Sequence, residues 1–145
     1  MIKMKLKIQI LGAAVISAVI IAVVIIIAAS SNPSAEVRLL KPSEFEEIMK
    51  NENAFVINTH APYMGEIEGT DLVIEDWENV ASHASRLPQD REKPILVYCR
   101  SGRMSASAVQ QLKELGYKKV YDLEGGMNAW MESGRKLVNK TDSIS

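Results

Sequence analysis

Residues 94–116 read PILVYCRSGRMSASAVQQLKELG. Four apolar or aromatic residues follow Pro94 without a polar interruption. Such a run suits a strand buried on both faces, as in a parallel sheet covered on two sides. Residues 105–115 then place Ala108, Val109, Leu112 and Leu115 on one face at helical spacing, and Gly116 closes the helix. Between strand and helix lies Cys99, the chain's only cysteine. Ligands of open parallel sheets sit where strands end and helices begin. This stretch therefore predicts both an α/β fold and the position of its site.

Working outward, other short apolar runs alternate with helical patterns. Residues 37–40 suggest an edge strand. Pro42 and Ser43 open a helix, with Ser43 and Glu46 as a capping box and Phe45, Ile48 and Met49 as its apolar face. Residues 54–58 and 72–74 are apolar strands. Asp76 is placed to cap a helix running through Val80 and Ala84 to Leu87, which Pro88 ends. Residues 119–121 form a strand, Gly125-Gly126 a turn, and residues 127–131 the start of a last helix. The pattern predicts a central, mostly parallel sheet with helices on both faces.

The thiolate is the reactive form of cysteine, and a free thiol titrates near about 8.5. Around Cys99 the sequence supplies Arg100 and Arg103 as positive charge, backbone N–H groups of a short loop, and the positive end of the following helix. Gly102 permits a tight turn, and Ser101 and Ser105 are hydroxyl donors, with Ser105 a natural helix cap. The bland alternative is a small buried core residue. A purely structural turn does not call for two arginines and a glycine.

The loop YCRSGRMS, residues 98–105, resembles the active-site loop of the rhodanese family of sulfurtransferases. LEGGMNAW, residues 123–130, resembles that family's Gly-Gly-aromatic segment, and VINTHAPYMGEIEGTDLVI, residues 56–74, its first conserved region. The resemblance covers about residues 38–135. It implies a single rhodanese-like α/β domain that needs no metal or organic cofactor. It also implies that Cys99 takes a sulfane sulfur from thiosulfate or a similar anion, becomes a persulfide, and passes the sulfur to a thiol or to cyanide. Arg100, Ser101, Gly102, Arg103, Met104 and Ser105 would cradle the sulfur, with the two arginines as candidates to hold a sulfonate. Two departures stand out. Asn58, Thr59 and His60 occupy the place where many members carry an acid, one variable residue and an arginine. Met104 occupies the place where many carry an arginine.

Two other function classes remain open at this point. A phosphatase or arsenate reductase loop runs Cys, five residues, Arg; here the position six after Cys99 is Ser105, so the bidentate arginine is missing. A non-catalytic interaction domain, or a persulfide carrier serving one partner, would share the fold. His60 and His83 lie 23 apart without ligand-spaced neighbours and do not suggest zinc. His60, near a strand's carboxyl end, is a candidate base. Glu66, Glu68, Asp71, Glu75, Asp76 and Glu78 read as a solvated face, and Trp77, Trp130, Met127 and Met131 as packing residues.

Residues 8–29, IQILGAAVISAVIIAVVIIIAA, hold no charge. As a helix they span about 30 Å, the thickness of a bilayer's hydrocarbon core. A signal peptide's apolar core is shorter, about 7–15 residues. A membrane anchor is expected, or a signal helix if it is cleaved near Ala28 to Ser30, in which case the domain is secreted. Lys3, Lys5 and Lys7 precede the run, which puts the N-terminus in the cytoplasm and the domain outside. The expected division is 1–35 for basic start, span and linker, and 36–145 for the domain. That domain holds 14 Lys/Arg against 18 Asp/Glu, which offers no basic excess to a nucleic acid.

Overall fold

The computed structural model of the chain describes residues 37–139. The apolar run at 8–29 lies outside the described residues; among those described, no helix is long and apolar enough to cross a membrane.

Among the described residues, five strands form one sheet: β1 (Arg38–Leu40), β2 (Phe55–Asn58), β3 (Leu72–Val73), β4 (Ile95–Tyr98) and β5 (Val120–Leu123). Their order is β1-β5-β4-β2-β3, and every pairing is parallel. The expected mostly parallel sheet is thus wholly parallel. Side chains alternate across it with period two. Ile57, Ile95, Val97 and Val120 face one side, where Ala108, Val109 and Leu112 of the helix α2 (Arg103–Glu114) cover them together with Val80 of a 3-10 segment (Val80–Arg86). Val56, Leu96, Tyr98 and Leu123 face the other. There they meet Phe45 of α1 (Pro42–Asn51) and Met127 and Trp130 of α3 (Gly126–Glu132). The apolar residues of β4 serve both cores, which is why residues 95–98 read as an unbroken apolar run.

Four local expectations are corrected. The first concerns the capping box at Ser43 and Glu46. It gives way to a contact two residues earlier, where the Lys41 N–H donates to Glu44 Oε2 at 2.9 Å. Glu46 instead accepts from Arg135 at 2.7 Å and Lys50 at 2.6 Å. The helix expected after Asp76 is a 3-10 run that begins at Val80. The acidic stretch is not wholly a solvated face. The Val56 N–H donates to Asp71 Oδ2 at 2.8 Å, and Glu66 is buried. Met131 is also exposed, while Met127 packs as expected.

Tyr98, fully buried at the end of β4, ties that strand to the turn at residues 67–70. Its hydroxyl accepts the Ile67 N–H at 2.9 Å and shares a hydrogen bond with Thr70 Oγ1 at 2.7 Å. Tyr98→Phe leaves that buried N–H without its acceptor, a loss of about 1–3 kcal/mol. Urea unfolding is expected to show a lower midpoint at unchanged slope; an unchanged midpoint would mean that the turn carries no stability.

Candidate active site

β4 ends at Tyr98, and Cys99 follows at the carboxyl edge of the sheet, 1% exposed. The chain then turns through Gly102, whose φ of 101° lies in the left-handed region that glycine adopts without steric penalty. Gly102 is the N-cap of α2, so the helix starts two residues earlier than the sequence suggests. Ser105 accordingly lies in its first turn and is not the cap. This earlier start aims the helix N-terminus at the sulfur. The Gly102 N–H donates to Cys99 Sγ at 3.1 Å, and Ser105 Oγ to the same atom at 3.5 Å.

Burial alone would push the Cys99 thiol up. The Ser105 hydroxyl and the N–H groups of Ser105, Ser101 and Gly102 outweigh it and hold the thiol below its ordinary value. These are neutral donors. The two arginines, expected to supply the charge, stand elsewhere. Arg100 is exposed, and its charge bears on His60. The exposed Arg103 has its guanidinium carbon 5.5 Å from the centre of the Trp77 ring, a cation–π contact. Ser101 is exposed, Met104 half-buried and Ser105 fully buried. The loop expected to act as a cradle therefore divides. The N–H groups of Ser101, Gly102 and Ser105 and the Ser105 hydroxyl act on the sulfur, and the two arginines are exposed.

His60 comes close to the same edge, and it is buried. Burial, then the Arg100 charge, lower its pKa against a smaller opposing effect of Glu75. A neutral imidazole is what a base requires, and its Nδ1 has no hydrogen-bond partner. Asn58, in the place of the usual acid, closes its own loop. Its side-chain Nδ2 donates to the Gly65 carbonyl at 3.1 Å, and its Oδ1 accepts the His60 N–H at 2.9 Å. The short amide thus supports this loop without an ion pair.

Residues 99–100 and 126–128 meet backbone to backbone. The Met127 N–H donates to the Cys99 carbonyl at 2.9 Å, and the Asn128 N–H to the Arg100 carbonyl at 3.1 Å. Gly126, at φ 58°, sits so close that a Cβ there would fall upon the Cys99 carbonyl and 2.8 Å from the Arg100 oxygen. This clasp is the physical link between the two sequence motifs. The free N–H groups at the start of α3 occupy the loop's carbonyls, and the loop's own N–H groups are left to face the sulfur.

One residue of the site has no place in the sequence reading. Asp122, in β5, is 1% exposed and stands beside Ser105. A carboxylate inside a parallel strand, between Val120, Tyr121 and Leu123, is itself a signal, since aspartate is depleted in strands and almost never buried without a partner.

With this geometry in view, a family model for the rhodanese-like domain matches residues 36–133. Among curated relatives, the thiosulfate sulfurtransferase GlpE of Coxiella burnetii is 54% identical over 41 residues, covering 28% of this chain and 38% of that protein. A sulfurtransferase of Allochromatium vinosum is 41% identical over 54 residues, covering 37% of this chain and 49% of its own. The matched segments thus span less than half of either relative. Among solved structures, a rhodanese-related protein from Thermoplasma volcanium superposes with a TM-score of 0.58 at 27% identity, over 70% of this chain and 97% of that one. The polysulfide-sulfur transferase of Wolinella succinogenes has the same fold, with a TM-score of 0.57 at 24% identity over 77% and 85% of the two chains. The chain belongs to the rhodanese-like domain family.

Proposed function

We propose that the protein is a sulfurtransferase that carries sulfane sulfur on Cys99. The observation behind this reading is the set of neutral donors gathered on one buried sulfur, with the Gly102 N–H at 3.1 Å and Ser105 Oγ at 3.5 Å. Such a ring favours an anion at the sulfur and asks for no metal. The sulfurtransferase activity named for the Coxiella and Allochromatium relatives points the same way.

The chemistry proceeds in two displacements. The Cys99 thiolate attacks the outer sulfur of thiosulfate; a Cys–S bond to sulfur forms, the S–SO3 bond breaks, and sulfite leaves with the electron pair. The persulfide keeps its negative charge on the outer sulfur, within reach of the loop donors. Cyanide or a thiolate then attacks that outer sulfur, and the Cys99 thiolate departs as the leaving group. Arg100 and Arg103, exposed at the rim, attract the dianionic donor. We further propose that residues 8–29 anchor the domain on the outer side of a membrane. Activity of an alkaline phosphatase fused after Ser145 tests this, because that enzyme folds only outside the cytoplasm; an inactive, stable fusion refutes it.

The test is thiocyanate production from thiosulfate and cyanide by the full chain beside Cys99→Ser. Turnover is expected in the wild type and none in the variant. Equal turnover in both would overturn the proposal. Absent turnover with a gain of one sulfur atom on Cys99 in the mass spectrum would identify a carrier for a dedicated acceptor. Absent turnover and no gain would leave the domain a binding module.

A further inference from the structure

Leu39 of β1 and Asp122 of β5 are register partners in the sheet. Side chains alternate along a strand, and the neighbours Leu40 and Leu123 pack on the α1 side, so this pair lies on the α2 face. β1 is an edge strand, and Leu39 is 54% exposed. Both residues line a groove of about 400 Å³, a size that suits a small ligand. Val37, Leu39 and Ala106 give it apolar walls, and Asp122 and Glu124 give it two acids. Gly102 belongs to the groove as well, and its N–H is the donor that meets Cys99 Sγ at 3.1 Å. An occupant would therefore sit against the cysteine loop.

The acids of this groove lack a positive partner. Asp122 is 1% exposed, and its Oδ1 has no hydrogen-bond partner. Such an oxygen carries a desolvation cost that an entering donor relieves. No lysine or arginine lines the groove. Arg38 of β1 lies over the Tyr121 ring, and Arg103 of α2 over the Trp77 ring. Burial raises the Asp122 carboxyl to about 6, so at neutral pH it is mostly ionised. A groove of about 500 Å³ elsewhere on the domain differs on this point: its Glu46 already accepts from Lys50 and Arg135.

We infer that this groove binds a small molecule carrying a primary ammonium group on a short aliphatic stem: the ammonium donates to Asp122 Oδ1, Glu124 adds attraction at the rim, and the stem lies against Val37, Leu39 and Ala106. The apolar walls ask for a stem. The single open oxygen suits the point charge of an ammonium, whereas a guanidinium fork seeks two oxygens. A metal ion wants more ligands than the groove offers; among the described residues no group of three or more acids, histidines or cysteines is placed to hold one. The transfer chemistry above uses neither Asp122 nor Glu124, so this site is additional to it.

The test is a titration of the full chain with n-butylammonium at neutral pH, followed through the backbone amide resonances. Because it needs no sulfur donor, its outcome is independent of the sulfurtransferase reading. Saturable shifts are expected at Gly102, Ala106, Asp122 and Glu124. The uncharged n-butanol, with the same stem, is expected to give none at matched concentration. Asp122→Asn is expected to weaken butylammonium binding by about tenfold or more, as the loss of a hydrogen bond to a charged group does. Glu68→Gln, which removes an acid from the other groove, is expected to leave binding unchanged. Ala106 is exposed on α2, so Ala106→Leu burdens no core, fills the space of the stem and is expected to abolish the shifts. This second variant decides the matter if Asp122→Asn fails to fold. A wild type without saturable shifts, equal affinity for n-butanol, or undiminished binding in Asp122→Asn or Ala106→Leu overturns the inference.

Discussion

Gly126→Ala is expected to lower Cys99 reactivity about a hundredfold, the penalty typical of a reacting group displaced by about 1 Å. The reason is that every atom in the way belongs to the main chain. A Cβ at this position would meet the Cys99 carbonyl, the Arg100 carbonyl carbon at 2.7 Å and the Arg100 oxygen at 2.8 Å. No side chain can rotate aside, so the loop or α3 must move. The hydrogen bonds from Met127 and Asn128 to residues 99 and 100 would break or stretch. The donors on the sulfur would shift with them. Gly134→Ala provides the contrast. Its φ is also positive, at 85°, yet a Cβ there meets nothing within 4 Å. The expected loss is the backbone strain alone, about 1–2 kcal/mol, with Cys99 alkylation unchanged. Alkylation rates and melting curves for both variants decide the matter. Normal reactivity in Gly126→Ala would show that the clasp does not set the geometry of the loop.

Phe45→Ala is expected to give the largest loss of stability, about 3–5 kcal/mol. Phe45 is fully buried and meets two aromatic edges, Tyr98 and Trp130, each with ring centres 6.2 Å away and nearly perpendicular planes. It thus joins α1 to the strand that carries Cys99 and to the helix that holds the loop. Truncation removes the ring's burial and both edge contacts, and it leaves a cavity that the sheet cannot fill. Against a typical total of about 5–15 kcal/mol for a small domain, such a loss is a large fraction. Urea denaturation measures it. A change below about 1 kcal/mol would mean that the core on the α1 face relaxes around the gap.

The architecture is legible in residues 94–116 because two periods meet there. The run Ile95 to Tyr98 is apolar at every position, which only a strand between two cores requires, and Ala108, Val109 and Leu112 repeat at the spacing of a helix. The position of Cys99 at a strand's carboxyl end follows from the same reading. The helix starts are less legible, since they depend on partners distant in sequence. Glu46 looks like half of a capping box until Arg135, 89 residues away, occupies it. Ser105 looks like a cap until the sulfur and the Gly102 carbonyl draw its hydroxyl inward. The arginines of the loop suggest direct charge on the thiol. In the folded chain Arg103 finds the Trp77 ring, and neutral N–H donors replace it at the sulfur. Composition shows which groups are present, but which of them reach one atom is a property of the folded chain.

The backbone clasp between the cysteine loop and α3 has a consequence for transplantation and truncation. The seven residues that follow Tyr98 are not a portable peptide. Moved alone into another strand-to-helix turn, they would bring their N–H donors and also two carbonyls, those of Cys99 and Arg100, with nothing to hold them turned away. A chain clipped ahead of Glu124 would keep every donor that touches the sulfur and lose the frame that orients it. The working unit is thus two segments far apart in the sequence, and an engineer has to move both or neither.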